Sequence, residues 1–278
     1  MDRLRFGTGG IPHSSKDTST EGGIGRVREL GLGAMELEFV RSVSISEAKA
    51  PTVRELARKL DVVLTVHAPY FVNLASKERL KVEASIGRIL KSARIGNLCG
   101  AVSVTFHAAF FQKRDPSKVF LEVRKGLEKI ARTLAAEGND IRIRPELSGR
   151  GSQFGSLEEL IDISSQVERV RPCIDFAHLH AREGWFNSRK EFGAVLEALE
   201  NGLGRDILDD MHIHASGIKY GPKGELSHLN LKDSDMNHGA LMEALRDFGV
   251  KGVLVCESPN LEEDALLMKG FYESLPGS

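Results

Sequence analysis

A chain of 278 residues with 41% hydrophobic and 28% charged side chains can bury one core of (β/α)8 size and leaves little for a second fold, so residues 1–278 are expected to form one TIM-barrel domain. No run of about 18 apolar residues is present to cross a bilayer, and MDRLRFGTGG lacks the apolar segment and cleavage site of a secretory signal; no membrane partner is expected, and the cytoplasm is the expected compartment. The formal net charge of -1 neither demands nor excludes a nucleic-acid partner, because bound divalent ions would add positive charge locally.

In chain order, strand-like runs fall near residues 4–8, 34–40, 62–67, 101–107, 141–146, 171–175, 210–214 and 252–257. Helical patterns separate most of them. From Lys77 to Cys99, Leu80, Ala84, Ile86, Leu90 and Ala93 recur near three- and four-residue spacing. From Ser117 to Ala136 a second set does the same, with Asp115-Pro116 to start the helix and Gly138 to end it. Such alternation predicts a parallel sheet, and eight units predict closure into an α/β (β/α)8 TIM barrel. The longest non-periodic stretch, 215–237, is expected as a long loop over the C-terminal face of the barrel. Cys99, Cys173 and Cys256 are odd in number and the last two lie in predicted buried strands, so they read as small core residues.

Six of the runs end on a metal-competent side chain: VVLTVHAPY on His67, AVSVTFHAA on His107, IRIRPELSG on Glu146, RPCIDFAHLH on Asp175, DMHIHASG on His212 and GVLVCESPN on Glu257. Taken singly, a strand-end histidine is more often a hydrogen-bonded rim residue than a ligand. A carboxylate at the end of an apolar strand needs a partner, and here Arg144 or Arg150 could serve. The shared phase is what points to metal, because parallel barrel strands aim their C-terminal ends at one place. Adding His178 and His228 gives eight donors, enough for two or three ions. Imidazole with carboxylate, and no thiolate cluster, suits zinc, manganese or iron(II). Such clusters serve reactions in which water is activated and phosphate charge neutralised together.

HAPYFVNLAS at 67–76, CIDFAH at 173–178, MHIHASG around His212 and CESPNLEEDALLMK at 256–269 resemble the endonuclease IV family, the apurinic/apyrimidinic endonucleases of the xylose-isomerase-like barrels. The likeness runs from the third strand to the C-terminus and is closest to archaeal-type members, judged by Gly224-Glu225-Leu226-Ser227-His228 and LEEDAL. It implies a barrel with three zinc ions that cleaves damaged duplex DNA 5′ to an abasic site, working as a monomer because the duplex must reach the rim. It further implies a first zinc on His67, His107 and Glu146, a second sharing Glu146 with Asp175, His212 and Glu257, and a third on His178 and His228. Glu146 and Glu257 would be the catalytic carboxylates, and Tyr70 and Phe71 would contact DNA and wedge it beside the lesion. The chain departs from the family at two places. Leu226 stands where an aspartate is usual in the third site, for which Glu225, His180 or His214 could substitute, and FGTGGIP offers no histidine in the first strand.

The same superfamily includes sugar isomerases and epimerases, whose single ion sits on the equivalents of Glu146, Asp175, His212 and Glu257 while two glutamates shuttle a proton. That quartet fits both chemistries. The further imidazoles of His67, His107, His178 and His228 favour the nuclease, and a scaffold without turnover would leave the complete carboxylate set unexplained.

Overall fold

The sheet arises from short runs that bury both faces, one against helices and one inside a barrel. In the computed structural model, which describes residues 1–276, the barrel strands are β1 (Leu4–Gly9), β2 (Ala34–Glu38), β3 (Val63–His67), β4 (Ser103–Phe106), β5 (Arg142–Pro145), β6 (Cys173–Asp175) and β7 (Met211–Ala215). A hairpin of β8 (Gly217–Gly221) and β9 (Gly224–Leu229) precedes the last barrel strand, β10 (Gly252–Cys256). The helices are α1 (Thr20–Glu29), α2 (Ala50–Lys59), α3 (Arg79–Cys99), α4 (Pro116–Ala136), α5 (Leu157–Gln166), α6 (Phe176–Glu183), α7 (Arg189–Leu203), α8 (His238–Asp247) and α9 (Glu262–Ser274). All barrel pairings are parallel, in the order β5-β4-β3-β2-β1-β10-β7-β6. The seam between β5 and β6 closes through two isolated bridges, Ile143 with Val170 and Glu146 with Cys173.

Registered residues of parallel neighbours share a face, so the register sorts the side chains. Glu36 lies beside Thr65, Glu38 beside His67, Cys173 beside His212 and Asp175 beside His214. The intervening Met35, Leu37, Leu64, Val66, Ile174 and Ile213 are buried and belong to the hydrophobic core. The barrel interior is therefore unusually polar, while apolar packing is concentrated between sheet and helices. Both long helices form where the apolar spacing predicts; α4 begins at Asp115, whose carboxylate accepts from Ser117 N at 2.8 Å and caps the first turn.

The stretch 215–237 differs from the expected irregular loop. Gly217, Gly221 and Gly224 frame an antiparallel ribbon, and Ile218 on β8 packs against Ala177 and Ala181 of α6. Its alternation is weak because one face is solvent and the other covers a short helix. Cys99, Cys173 and Cys256 are free and buried. Among the described residues, no helix is long and apolar enough to cross a membrane.

Candidate metal centre

His67 ends β3, and its Nδ1 lies 2.8 Å from the carbonyl of Ala68. That contact orients the ring so that Nε2 points at Glu146 Oε2, 3.2 Å away. His107 approaches the same oxygen from β4 at 3.6 Å. Glu146 follows β5 directly, and its other oxygen lies 3.4 Å from His214 Nδ1. Asp175 both ends β6 and caps α6, accepting from His178 N at 2.7 Å through Oδ1. Its Oδ2 lies 3.1 Å from His178 Nδ1. Glu257, after β10, brings Oε2 to 3.4 Å from His214 Nδ1. Glu146, Asp175, His214 and Glu257 thus converge as one group, and His67, His107 and Glu146 as another.

A third group lies under the hairpin. His178 Nδ1 is 3.0 Å from the carbonyl of Leu147, and His228 Nδ1 is 3.1 Å from that of Glu257. With each Nδ1 set against a carbonyl, the two Nε2 atoms face each other at 3.3 Å. Glu225 Oε2 is 3.6 Å from His178 Nε2. Glu225 therefore stands where the departure at Leu226 left a question; Leu226 itself is 57% exposed. His180 turns instead to Asp235, at 3.2 Å, and His214 is engaged in the central group.

The structure corrects one expected ligand. His212 and His214 share a face of β7, but His212 lies one layer deeper, opposite Cys173, with Nε2 3.0 Å from Glu36 Oε2. It does not join Glu146, Asp175 and Glu257; His214 does. Two further acidic residues escaped the sequence reading. Glu36 and Glu38 alternate with Met35 and Leu37 in AMELE, and that inward phase was the available signal. Glu36, Glu38 and Glu257 also bring their carboxylates together.

The donors fit divalent ions. Among the described residues, the only cationic groups paired with Glu146, Asp175 and Glu257 are imidazoles. Arg144, offered above as a partner, lies buried at the opposite end with Asp210, and Arg150 donates to the carbonyl of Glu225. Buried Asp175 Oδ2 accepts no in-line hydrogen bond. Burial pushes Glu146 upward, but His107, His214 and His178 outweigh it and hold the carboxyl well below the usual range. Burial likewise opposes ionisation of Glu257, yet His214 and His228 hold it at about 2. Both are carboxylates at neutral pH. The mouth is a cavity of about 400 Å³ lined by His67, Tyr70, His107, Phe110, Arg150 and Glu257. Tyr70 and Phe71, 56% and 67% exposed, stand on the loop after β3, with the Tyr70 ring edge-on to His67 at 5.6 Å.

Residues 24–271 match the family described as xylose isomerase-like TIM barrel. An uncharacterized protein of Methanocaldococcus jannaschii is 39% identical over 273 residues, covering 98% of each chain. A probable endonuclease 4 of Mycoplasma pneumoniae is 26% identical over 203 residues, 71% of this chain and 68% of that protein. Among solved structures, endonuclease IV from Thermus thermophilus superposes with a TM-score of 0.73 at 19% identity, covering 98% of this chain and 100% of the other. A D-tagatose 3-epimerase-like protein reaches the same TM-score at 20% identity, covering 96% of both. At such identities these two structures speak for the fold alone.

Proposed function

The chain belongs to the xylose isomerase-like TIM barrel family, and from that premise we propose that it is a metal-dependent endonuclease that hydrolyses the phosphodiester 5′ to abasic sites in duplex DNA. The observation that carries this reading is the surplus of donors around the central quartet. His67 and His107 flank Glu146 on one side, and on the other His178 and His228 converge with Asp175, with Glu225 Oε2 3.6 Å from His178 Nε2. A one-ion isomerase needs neither set. Two or three ions would be held, with zinc favoured by the imidazole-rich donors. When bound they supply Lewis acidity, lowering the pKa of water and neutralising the charge that develops on phosphate. The names of relatives such as the Mycoplasma protein point the same way.

The chain's own groups do the rest. The carbonyls of Ala68, Leu147 and Glu257 fix which ring nitrogens of His67, His178 and His228 face the mouth. Glu146 and Glu257, ionised at neutrality, can take a proton from an attacking water. Arg150 at the mouth offers a cation to a phosphate. Tyr70 and Phe71 are the apolar wedge for a kinked duplex, and an abasic nucleotide, lacking stacking, costs a few kcal/mol less to extrude than a paired one.

The test is a duplex carrying one tetrahydrofuran abasic analogue. The zinc-loaded protein should nick it on the 5′ side and leave a 3′-hydroxyl, with undamaged duplex cut poorly and chelation abolishing cleavage. The double replacement Tyr70→Ala, Phe71→Ala should slow nicking about ten-fold or more with metal content unchanged. Absence of nicking with zinc, manganese and cobalt would defeat the proposal. The second reading, a sugar epimerase, rests on Glu146, Asp175, His214 and Glu257 as a complete single-ion set with two glutamates for proton exchange. Metal-dependent interconversion of ketoses by a preparation that fails to nick DNA would establish it.

A further inference from the structure

Directly beneath the mouth lies a layer of polar side chains that shares only His214 with the central donor group. Glu36 on β2 is fully buried, and its two oxygens are divided between the two histidines of β7: Oε1 lies 2.9 Å from His214 Nε2, and Oε2 lies 3.0 Å from His212 Nε2. Thr65 Oγ1 donates to Oε2 at 2.6 Å, and Ser103 Oγ is 3.1 Å from His212 Nδ1. Strands β1 and β10 separate β2 from β7 in the sheet, so Glu36 reaches across the barrel axis. A buried carboxylate is costly unless its partners are fixed, and here every partner is held by a barrel strand other than its own.

We propose that Glu36 is a positioning residue of the metal centre: its carboxylate, 2.9 Å from His214 Nε2 in an ion-pair contact that is not an in-line hydrogen bond, favours the proton on that nitrogen and so presents the ring's Nδ1 to the group formed by Glu146, Asp175 and Glu257. His212 Nε2, 3.0 Å from the other oxygen, then helps to keep the carboxylate from rotating away, the hydrogen bond from Thr65 Oγ1 holds that oxygen, and Ser103 fixes the outer end at His212. Ser103 donates to Nδ1 and leaves the proton on Nε2, as the arrangement requires. The inference rests on the mouth being a metal centre and holds for either enzyme class. It also accounts for a buried histidine that shares a face of β7 with His214 and yet takes no place in the central group.

The experiment uses the full chain stripped of metal and titrated with cobalt(II). Glu36→Gln should fold with a wild-type far-UV spectrum and bind cobalt about ten- to a hundred-fold more weakly at the shared position. Thr65→Val, which leaves the carboxylate in place, should lose only a few-fold. A measurement without variants keeps the test open if Glu36→Gln does not fold. Long-range 1H–15N spectra of the zinc-loaded wild type should show His214 protonated at Nε2 and ligated through Nδ1. The reverse assignment, or wild-type cobalt affinity in a folded Glu36→Gln, overturns the role given to Glu36. So does a thiolate-to-cobalt absorption band that disappears in Cys173→Ser, because Cys173, His212 and His214 would then themselves be ligands. A wild type that takes up no cobalt overturns both this inference and the metal reading on which it stands.

Discussion

Glu38 carries the clearest electrostatic cost in the metal-free protein. Burial, with Glu36 and Glu257 adding to it against the opposing pull of His67, pushes its carboxyl up to about 8. A raised folded-state value means that the native state holds this proton more tightly than the unfolded chain. The resulting stability is complete below the ordinary carboxylate value and falls away as pH rises toward 8. Glu38→Gln should therefore raise the melting temperature of the chelated protein by a few degrees at pH 8.5 and change it much less at pH 5. A lowered melting temperature at both pH values would contradict this. His67 and His178 are raised as well, but for a different reason. Burial disfavours their charge, but the hydrogen bond to Glu146 with the charge of Glu38 in one case, and Asp175 with Glu146 in the other, push both up to about 10. Both rings are imidazolium in the metal-free protein at neutrality and must be neutral to ligate. Burial opposes charge on His214 too, but the carboxylates around it hold it well above its ordinary value, so it must also lose a proton. Zinc uptake at pH 7.5 should release about three protons per chain, read by calorimetry in buffers of different ionisation heat, and affinity should climb with pH. At this scale the sequence was legible in ligand type and less so in depth. His212 and His214 are identical in kind and phase, and only the register against Cys173 and Asp175 tells which one reaches the mouth.

Among the elements, the β8–β9 hairpin decides whether a third ion has a place. It delivers His228 and Glu225 together, and it docks through Glu225 N to the carbonyl of Gly149 at 2.9 Å. Gly224 makes this approach with φ of 94°, and a Cβ there would fall on the Gly149 carbonyl oxygen. Gly224→Ala should lift the hairpin and weaken metal binding at the His178 and His228 position about ten- to a hundred-fold. The central group should stay loaded and the melting temperature close to wild type. Elemental analysis of the zinc-loaded variant checks this; full retention of every ion would show that the hairpin does not set the site. The helices and barrel strands were legible because their periodicity reports burial on a stable face. This ribbon was not, since its turn glycines and charged residues carry the same signature as an irregular loop.

For the whole molecule, eight strand runs were legible from apolar runs and spacing, and eight units were enough to predict closure; how sparsely β5 and β6 would join was not legible, because no local pattern encodes the contacts between them. That seam is the thinnest join in the barrel: two bridges, with Leu147 N to the Cys173 carbonyl at 3.0 Å among its few bonds. Glu146 stands on one side of it and Asp175 on the other, and both belong to the central donor group. An ion held there would act as a clasp, fastening the barrel where its own hydrogen bonds are sparsest. Amide exchange along 143–147 and 171–175 should slow on zinc loading more than along β2 and β3, and equal slowing around the barrel would argue against it. Opening of the metal-free protein would then begin at the seam, so that losing the reagent for chemistry and losing the cylinder would be one event.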